Sequence, residues 1–171
     1  MSVTARSGTQ RARARTAGSR PLDDLEAQLI ATIPQVMRHL VAHARRRRAW
    51  KSLTYQQYNV LRIIHTEGPA SQVAIARRLM VSAPVVTRLA SSLVEAGLVE
   101  RGRDPSDRRT VRLQLTGAGR RQAAAMRRDL LRAARELIEP VPAERRAAVA
   151  VALDELEVLF PGHTARRPES R

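Results

Sequence analysis

The side chains best suited to chemistry in this sequence are arginines that surround a predicted turn. The stretch Asp104-Pro105-Ser106-Asp107 is typical of a type I turn, with Asp first and Pro second. Five charged residues lie at its tip and shoulders: Arg103, Asp107, Arg108, Arg109 and Arg112. Because a narrow minor groove concentrates negative potential, an extended arginine enters it readily, and Asp104 and Asp107 could brace the loop and that arginine. The pattern predicts a nucleic-acid contact, and a solvated turn with local ion pairs is the alternative.

The segment before this turn predicts a helix with one face suited to DNA. Ser82 stands at an N-cap position, and Pro84 falls in the first turn, where its missing N–H costs little. Apolar residues at helical spacing are expected to face the core: Val86, Leu89 and Leu93. Residues 83–94 contain no acidic side chain, as a helix lying against phosphates requires. The residues predicted to read the major groove are Ser82, Pro84, Val85, Thr87 and Arg88. An ordinary surface helix is the alternative for this segment alone.

Start and stop signals predict the helices that position this face. Residues 54–57 have the sequence of a capping box and open a helix that residues 68–69 stop. Ser71 is predicted to cap a short third helix, and we expect Ser71 and Gln72 to contact phosphates, together with Arg112. Gly97 ends the fourth helix in the favoured position just past its last turn.

The alternation of apolar and polar residues from Val111 to Leu115 predicts a half-buried strand that pairs with residues 98–103. The resulting order is helix, turn, helix and hairpin. It places a helix where it can enter a major groove and a hairpin where it can reach the adjacent minor groove. The sequence therefore predicts a winged helix-turn-helix that binds double-stranded DNA.

Long amphipathic helices are predicted at both ends of the chain. Apolar residues recur at helical spacing from Leu22, and Pro34 should bend that helix or start a new segment. Thr116 is predicted to cap a fifth helix, which Pro140 and Pro142 separate from a sixth. A short hairpin cannot cover these apolar faces, so they must pack on each other and on a second copy. A two-fold homodimer would hold two recognition helices roughly 34–36 Å apart.

Composition agrees with a polyanionic partner. The chain has 31 Lys+Arg against 16 Asp+Glu, a formal net charge of +15, and Lys51 is its only lysine. A GC-rich genome accounts for much of the arginine preference, but not for the charge. The absence of cysteine excludes disulfides and a thiol-based redox sensor. No apolar run approaches the roughly 18 residues of a membrane span, and no secretory signal is present, so we expect a cytoplasmic protein.

The predicted fold is mostly α with a small β-hairpin wing: a winged helix-turn-helix lobe and a helical dimerisation domain. The expected divisions are a disordered basic tail (1–20), a helical dimerisation region (21–52 and 117–160), the DNA-binding domain (53–116) and a flexible C-terminal tail (161–171). Paired carboxylates, metal motifs and nucleophile constellations are missing from the sequence, so we expect neither an enzyme nor a cofactor.

Three stretches resemble the MarR family of bacterial transcription regulators. They are L-T-Y-Q-Q-Y-N-V-L (53–61), G-P-A-S-Q-V-A-I-A-R-R-L-M-V-S-A-P-V-V-T-R-L (68–89) and G-L-V-E-R-G-R-D-P-S-D-R-R-T-V-R-L-Q-L-T-G-A-G-R (97–120). The resemblance implies an obligate homodimer, a pseudo-palindromic operator and repression that a small ligand relieves. It also implies that Arg109 enters the minor groove with Asp107 as its brace.

Members of this family often bind phenolic or anionic aromatic compounds between the dimer helices and the DNA-binding lobe. The candidate effector-pocket residues in this chain are His39, His43, Trp50 and Tyr58. His39 and His43 share a helix face, but no third metal ligand is evident, so we expect no metal site. Trp50 and Tyr58 could instead belong to the core, which is the more common role of such aromatic side chains.

Two other functions remain open at this stage. An architectural protein could use the same fold and its basic tail to coat DNA with little specificity. A protein-interaction module is a third reading, although an acid-free recognition face and Arg109 disfavour it. The leading prediction is a dimeric, ligand-responsive, sequence-specific repressor.

Overall fold

The computed structural model describes residues 21–103 and 111–159. Within them the chain forms six α-helices, a 3₁₀ turn and three strands. In chain order these are α1 (Leu22–Arg45), the 3₁₀ turn (Arg48–Trp50), α2 (Tyr55–Glu67), β1 (Ala70–Ser71), α3 (Gln72–Leu79), α4 (Ala83–Glu95), β2 (Val99–Arg103), β3 (Val111–Leu115), α5 (Gly117–Ile138) and α6 (Ala143–Val158). The predicted fold class, mostly helical with a small β wing, is confirmed.

Local capping signals place most helix starts. The Thr54 hydroxyl accepts a hydrogen bond from Gln57 N, and the Gln57 side chain accepts one from Thr54 N, which completes the predicted capping box. Ser71 and Thr116 likewise cap α3 and α5. Ser82 differs: it occupies the N-cap position of α4, but its side chain makes no cap hydrogen bond. The predicted capping role of the Ser82 hydroxyl is therefore wrong.

The sheet has one strand more than the predicted hairpin. Strands β2 and β3 pair antiparallel as expected, and the two-residue β1 adds to the other edge of β3, giving the order β1-β3-β2. Strand β1 pairs Ala70 with Leu113, so the turn after α2 is fixed to the hairpin. Two residues are too few for the alternation that reveals a strand in sequence.

One hydrophobic core holds these elements together. Each helix from α2 to α5, the 3₁₀ turn and the sheet contribute fully buried side chains, among them Trp50, Leu61, Ile75, Leu93, Leu113 and Met126. Of the α4 residues predicted to face inward, Val86 and Leu93 are completely buried, and Leu89 packs partly buried against the same core. The inner face of α4 is thereby fixed, which leaves its opposite face to the outside.

Contacts between residues divide the chain into two compact units, Met1–Arg38 and His39–Arg171. In the first unit the described residues form the N-terminal part of α1, which continues through Pro34 without a break. Pro34 therefore starts no new segment. In the second unit α6 contains no buried residue, although it carries large apolar side chains. Exposed apolar side chains on α1 and α6 indicate surfaces that a partner covers.

Candidate nucleic-acid interface

Helix α4 is fixed by hydrogen bonds from three different elements. They run from Gln57 Nε2 on α2 to Ser92 Oγ (2.6 Å), from Thr87 Oγ1 to Gln72 Oε1 on α3 (2.8 Å), and from Arg101 Nη2 on β2 to Ser91 Oγ (3.4 Å). These bonds attach to both halves of the helix. A recognition helix held in this way would lose little conformational entropy on binding DNA.

The predicted reading residues lie on the outer face of α4. Ser82, Pro84, Thr87 and Arg88 are exposed, and Val85 is half-buried. The Thr87 hydroxyl also lies 3.1 Å from the carbonyl oxygen of Ala83, one turn earlier. Since the face carries no carboxylate over residues 83–94, it offers no repulsion to phosphate.

The two predicted phosphate contacts at the start of α3 already have protein partners. The Ser71 hydroxyl accepts a hydrogen bond from Ala74 N (3.2 Å), and Gln72 accepts one from Thr87. Both residues are half-buried. Ser71 therefore acts as a helix cap, and the Gln72 carbonyl is directed to α4.

The wing arginines are distributed over both faces of the sheet. Cross-strand partners share a face, and the register pairs Arg101 with Leu113 and Arg103 with Val111. Arg101 and Arg103 are thus on the face that holds Ser91 of α4, and both are exposed. Arg112 pairs with Gly102 on the opposite face and is half-buried.

Arg101 is a candidate contact that the sequence interpretation missed. It lies two residues from Arg103, and the period of a strand places such residues on one side. That spacing was the available signal. The tip residues Asp107, Arg108 and Arg109 lie outside the described residues.

The start of α5 is tied to the turn between α4 and β2. The Thr116 hydroxyl donates to Gly97 O (2.7 Å) and accepts from Gly119 N (3.0 Å), while Thr116 N donates to Leu98 O (3.1 Å). Gly97 has a φ of +67°, which a glycine adopts without strain. The recognition helix, the wing and α5 therefore share one junction.

The four predicted effector-pocket residues divide between the hydrophobic core and helix α1. Trp50 is 2% exposed, and its indole N–H donates to Met126 O (3.3 Å), which joins the 3₁₀ turn to α5. Tyr58 is 4% exposed, and burial raises its pKa above the ordinary value of 10.0. These two residues are core, which is the alternative that the sequence left open. His39 and His43 stack with ring centroids 3.9 Å apart, and His43 Nδ1 donates to His39 O (3.0 Å).

An open cleft of about 420 Å³ lies behind the wing. It is lined by residues from the end of α2, both long strands and the start of α5, including His65, Glu100, Gln114 and Arg120. Some polar groups of the cleft already make hydrogen bonds within the protein. Gln114 Nε2 donates to Glu100 Oε1 (2.9 Å), and Arg120 Nη1 donates to Leu115 O (2.8 Å). Among the described residues, no three His, Asp or Glu side chains could hold a metal ion, and no helix is long and apolar enough to cross a membrane.

Comparison with known proteins agrees with this geometry. Residues 53–111 match the model of the MarR family, which covers α2 to the start of β3. A 69-residue stretch is 36% identical to YpoP, an HTH-type transcriptional regulator of Bacillus subtilis. That match spans 40% of this chain and 49% of YpoP, about half the length of the relative.

Solved structures share the fold over most of the chain. Wild-type MarR from E. coli in its apo form is 24% identical, with a TM-score of 0.66, covering 81% of this chain and 98% of MarR. RV1404 from Mycobacterium tuberculosis is 19% identical, with a TM-score of 0.70, covering 86% of this chain and 99% of that one. Residues 53–111 therefore match the winged helix-turn-helix region of the MarR family, and the fold around them is that of solved MarR structures.

Proposed function

We propose that this protein is a sequence-specific repressor that binds a pseudo-palindromic operator as a homodimer and is released by a small ligand. The observation that carries the proposal is the outer face of α4, which is exposed, free of carboxylates and bonded to Arg101. Base edges and phosphates both offer hydrogen-bond acceptors to such a surface.

Three residues of the face and the arginines of the hairpin have distinct proposed roles. Arg88 donates to a base edge or a phosphate, and Val85 packs against a thymine methyl group. Ser82, whose hydroxyl makes no helix-cap bond, is available to a phosphate at the start of α4. At the hairpin, Arg109 enters the minor groove with Asp107 as its brace, and Arg108 and Arg103 accompany it. Arg112 contacts a phosphate from the other face of the sheet.

The homodimer is supported by apolar surface on the terminal helices. On α1 the exposed side chains Leu22, Leu25, Leu29 and Ile33 follow helical spacing. On α5 and α6 the exposed apolar residues are Leu131, Val151, Leu153 and Val158. Burial of one such side chain contributes roughly 1.5–3 kcal/mol, so a second copy that covers several would be held firmly.

The dimer has a direct test on α1. Leu29→Arg should give a monomer in analytical ultracentrifugation and lose operator affinity. Ala31→Arg is the matched control, because Ala31 is exposed two residues on and lies on nearly the opposite side of the helix. If both variants remain dimeric, α1 is not part of the interface.

Relief by a small aromatic or anionic compound is the form of regulation that the family resemblance implies. Candidate compounds would be tested for release of the protein from its operator and for a rise in melting temperature, since a ligand that binds the folded state stabilises it. Compounds that raise the melting temperature without releasing DNA would contradict ligand-relieved repression.

The proposal as a whole is tested by selection of bound duplexes from a random library. The salt should be about 150 mM, since lower ionic strength exaggerates phosphate binding. We expect one enriched inverted repeat with half-sites near one helical turn apart. Arg109→Ala should then weaken operator binding by roughly 1–3 kcal/mol without unfolding the chain.

Architectural binding is the second candidate, because a net charge of +15 attracts any DNA. Tight binding without an enriched motif would establish it in place of the repressor.

Arg101→Ala tests whether Arg101 contributes a phosphate contact to DNA binding. It should weaken binding and lower the slope of log K against log salt by about 1, if Arg101 neutralises a phosphate. Arg128→Ala, which removes an exposed charge from α5, is the matched control.

A further inference from the structure

We propose that Gln72 and Thr87 act as one unit that recognises a single thymine in each half-site. The proposal rests on the proposed function above, and it gives Gln72 a role in sequence specificity that a phosphate contact would not have. The two residues lie on different helices and 15 positions apart in the chain. A single hydrogen bond joins their side chains at the surface.

The geometry makes this bond the preferred one for the Thr87 hydroxyl. Its oxygen lies 2.8 Å from Gln72 Oε1 and 3.1 Å from Ala83 O, and the one hydroxyl hydrogen can satisfy only one acceptor fully. Gln72 is the first residue of α3, and Thr87 lies in the second turn of α4. The bond therefore holds the Gln72 amide beside the outer face of the recognition helix.

The remaining atoms of the pair form a defined pattern toward solvent. The Gln72 carbonyl oxygen is used, whereas its Nε2 carries two N–H groups that no acceptor among residues 21–103 and 111–159 engages. Thr87 is exposed and adds a methyl group next to its hydroxyl. The unit thus presents hydrogen-bond donors beside a small apolar group.

In the major groove, thymine presents an acceptor, O4, beside its C5-methyl group. The donor from Gln72 matches O4, and the Thr87 methyl matches the C5-methyl group. Guanine offers acceptors without a methyl group, and cytosine and adenine place an amino donor in the groove. Thymine is therefore the base that satisfies both halves of the unit.

Gln72 carries no charge, so it contributes to DNA binding through an oriented hydrogen bond and not through long-range electrostatic attraction. Binding through Gln72 releases no counterions, in contrast to an arginine on a phosphate. A unit anchored on both sides also loses little side-chain freedom on binding. Removal of either partner frees the other, and both substitutions should then affect the same base position.

The experiment measures affinities of full-length protein for the selected operator and for each single-base variant of one half-site. The variants are Gln72→Ala, Thr87→Val, the double substitution and Thr87→Ser. We expect Gln72→Ala and Thr87→Val each to reduce discrimination for thymine at one shared position by roughly 5- to 100-fold. The double variant should lose little more than either single one, because coupled residues are not additive. Thr87→Ser should retain the preference for an acceptor but tolerate guanine.

Gln56→Ala is the matched control. It removes an exposed glutamine of α2 that lies outside the proposed interface, so it should leave the base preference unchanged.

Four outcomes would overturn the unit. An equal loss of affinity for all sequences in Gln72→Ala would make Gln72 a backbone contact. Effects of Gln72→Ala and Thr87→Val at two different positions would make them independent readers. If the wild-type protein enriches no motif, both the proposed function and the unit are overturned. If Gln72→Ala enriches the same motif as the wild type, the unit alone is overturned.

Discussion

Gly119→Ala should be the most damaging methyl addition in α5. A Cβ at Gly119 would overlap the carbonyl oxygen of Leu98 and lie 2.9 Å from its carbonyl carbon. Leu98 occupies the turn between the recognition helix and β2. The first turn of α5 therefore rests directly on the backbone that connects the reading helix to the wing, and only glycine allows this approach.

The backbone of Leu98 cannot move away cheaply. Its N–H donates to Leu93 O (3.0 Å), and its carbonyl accepts from Thr116 N (3.1 Å). Overpacking costs about 1–3 kcal/mol, and weakening of the Thr116 bond adds about 1 kcal/mol. The helix propensity of alanine returns up to about 1 kcal/mol. The last two contributions roughly cancel, so we expect a net loss of about 1–3 kcal/mol, or a fall in melting temperature of roughly 2–12 °C for a chain of this size.

Gly117→Ala is the control two residues earlier in the same helix. A Cβ there would lie 3.5 Å from the Nη1 atom of Arg121, the mobile end of an exposed side chain, so the change should be neutral or slightly stabilising. Both variants would be unfolded by urea and by heat, with the fluorescence of buried Trp50 as the signal. Equal stability of the two variants would refute the close approach of α5 to Leu98.

Three further substitutions test other parts of the fold. Trp50→Phe removes the bond to Met126 O and some buried volume, so circular dichroism should show a loss of about 1–3 kcal/mol; an unchanged melting point would contradict the link to α5. Because burial raises the pKa of Tyr58, the folded state holds this proton more tightly, and stability should fall as pH rises above 10.0. Tyr58→Phe should reduce that alkaline loss, and equal pH profiles would contradict it. Gln57→Ala breaks both the capping box and the bond to Ser92, so urea unfolding should show a loss of about 1–2 kcal/mol; a loss below about 0.5 kcal/mol would make both bonds irrelevant.

Local chemistry explains why much of the fold could be predicted. The Thr54 capping box, the Ser71 and Thr116 caps and the glycine at position 97 act within a few residues, so the sequence records them directly. The period of β3 similarly identifies its buried residues. The failure at Ser82 is informative, since an N-cap position gives the location of a helix start but not the direction of the hydroxyl.

Contacts between distant residues explain what could not be predicted. Strand β1 exists because its two residues pair with β3, about 40 positions later in the chain. The bonds of α4 to Gln57 and Gln72 join residues 35 and 15 positions apart. No periodicity or turn signal encodes such partners. Arg101 is intermediate, because the strand period placed it beside Arg103 but only the packing of β2 revealed its bond to Ser91.

The turn between α3 and α4 shows how one unexpected backbone conformation can decide the shape of a site. Met80 has a φ of +52°, in the left-handed region that favours glycine or asparagine, and its side chain is 87% exposed. Its N–H donates to Arg77 O (3.3 Å), and Val81 N donates to Ala76 O (3.1 Å), so the turn is closed by backbone bonds. Methionine gives no sequence signal for this conformation. Because the turn joins α3 directly to α4, it brings Gln72 within hydrogen-bond distance of Thr87, so the bond between the two helices depends on the backbone of a residue that faces solvent.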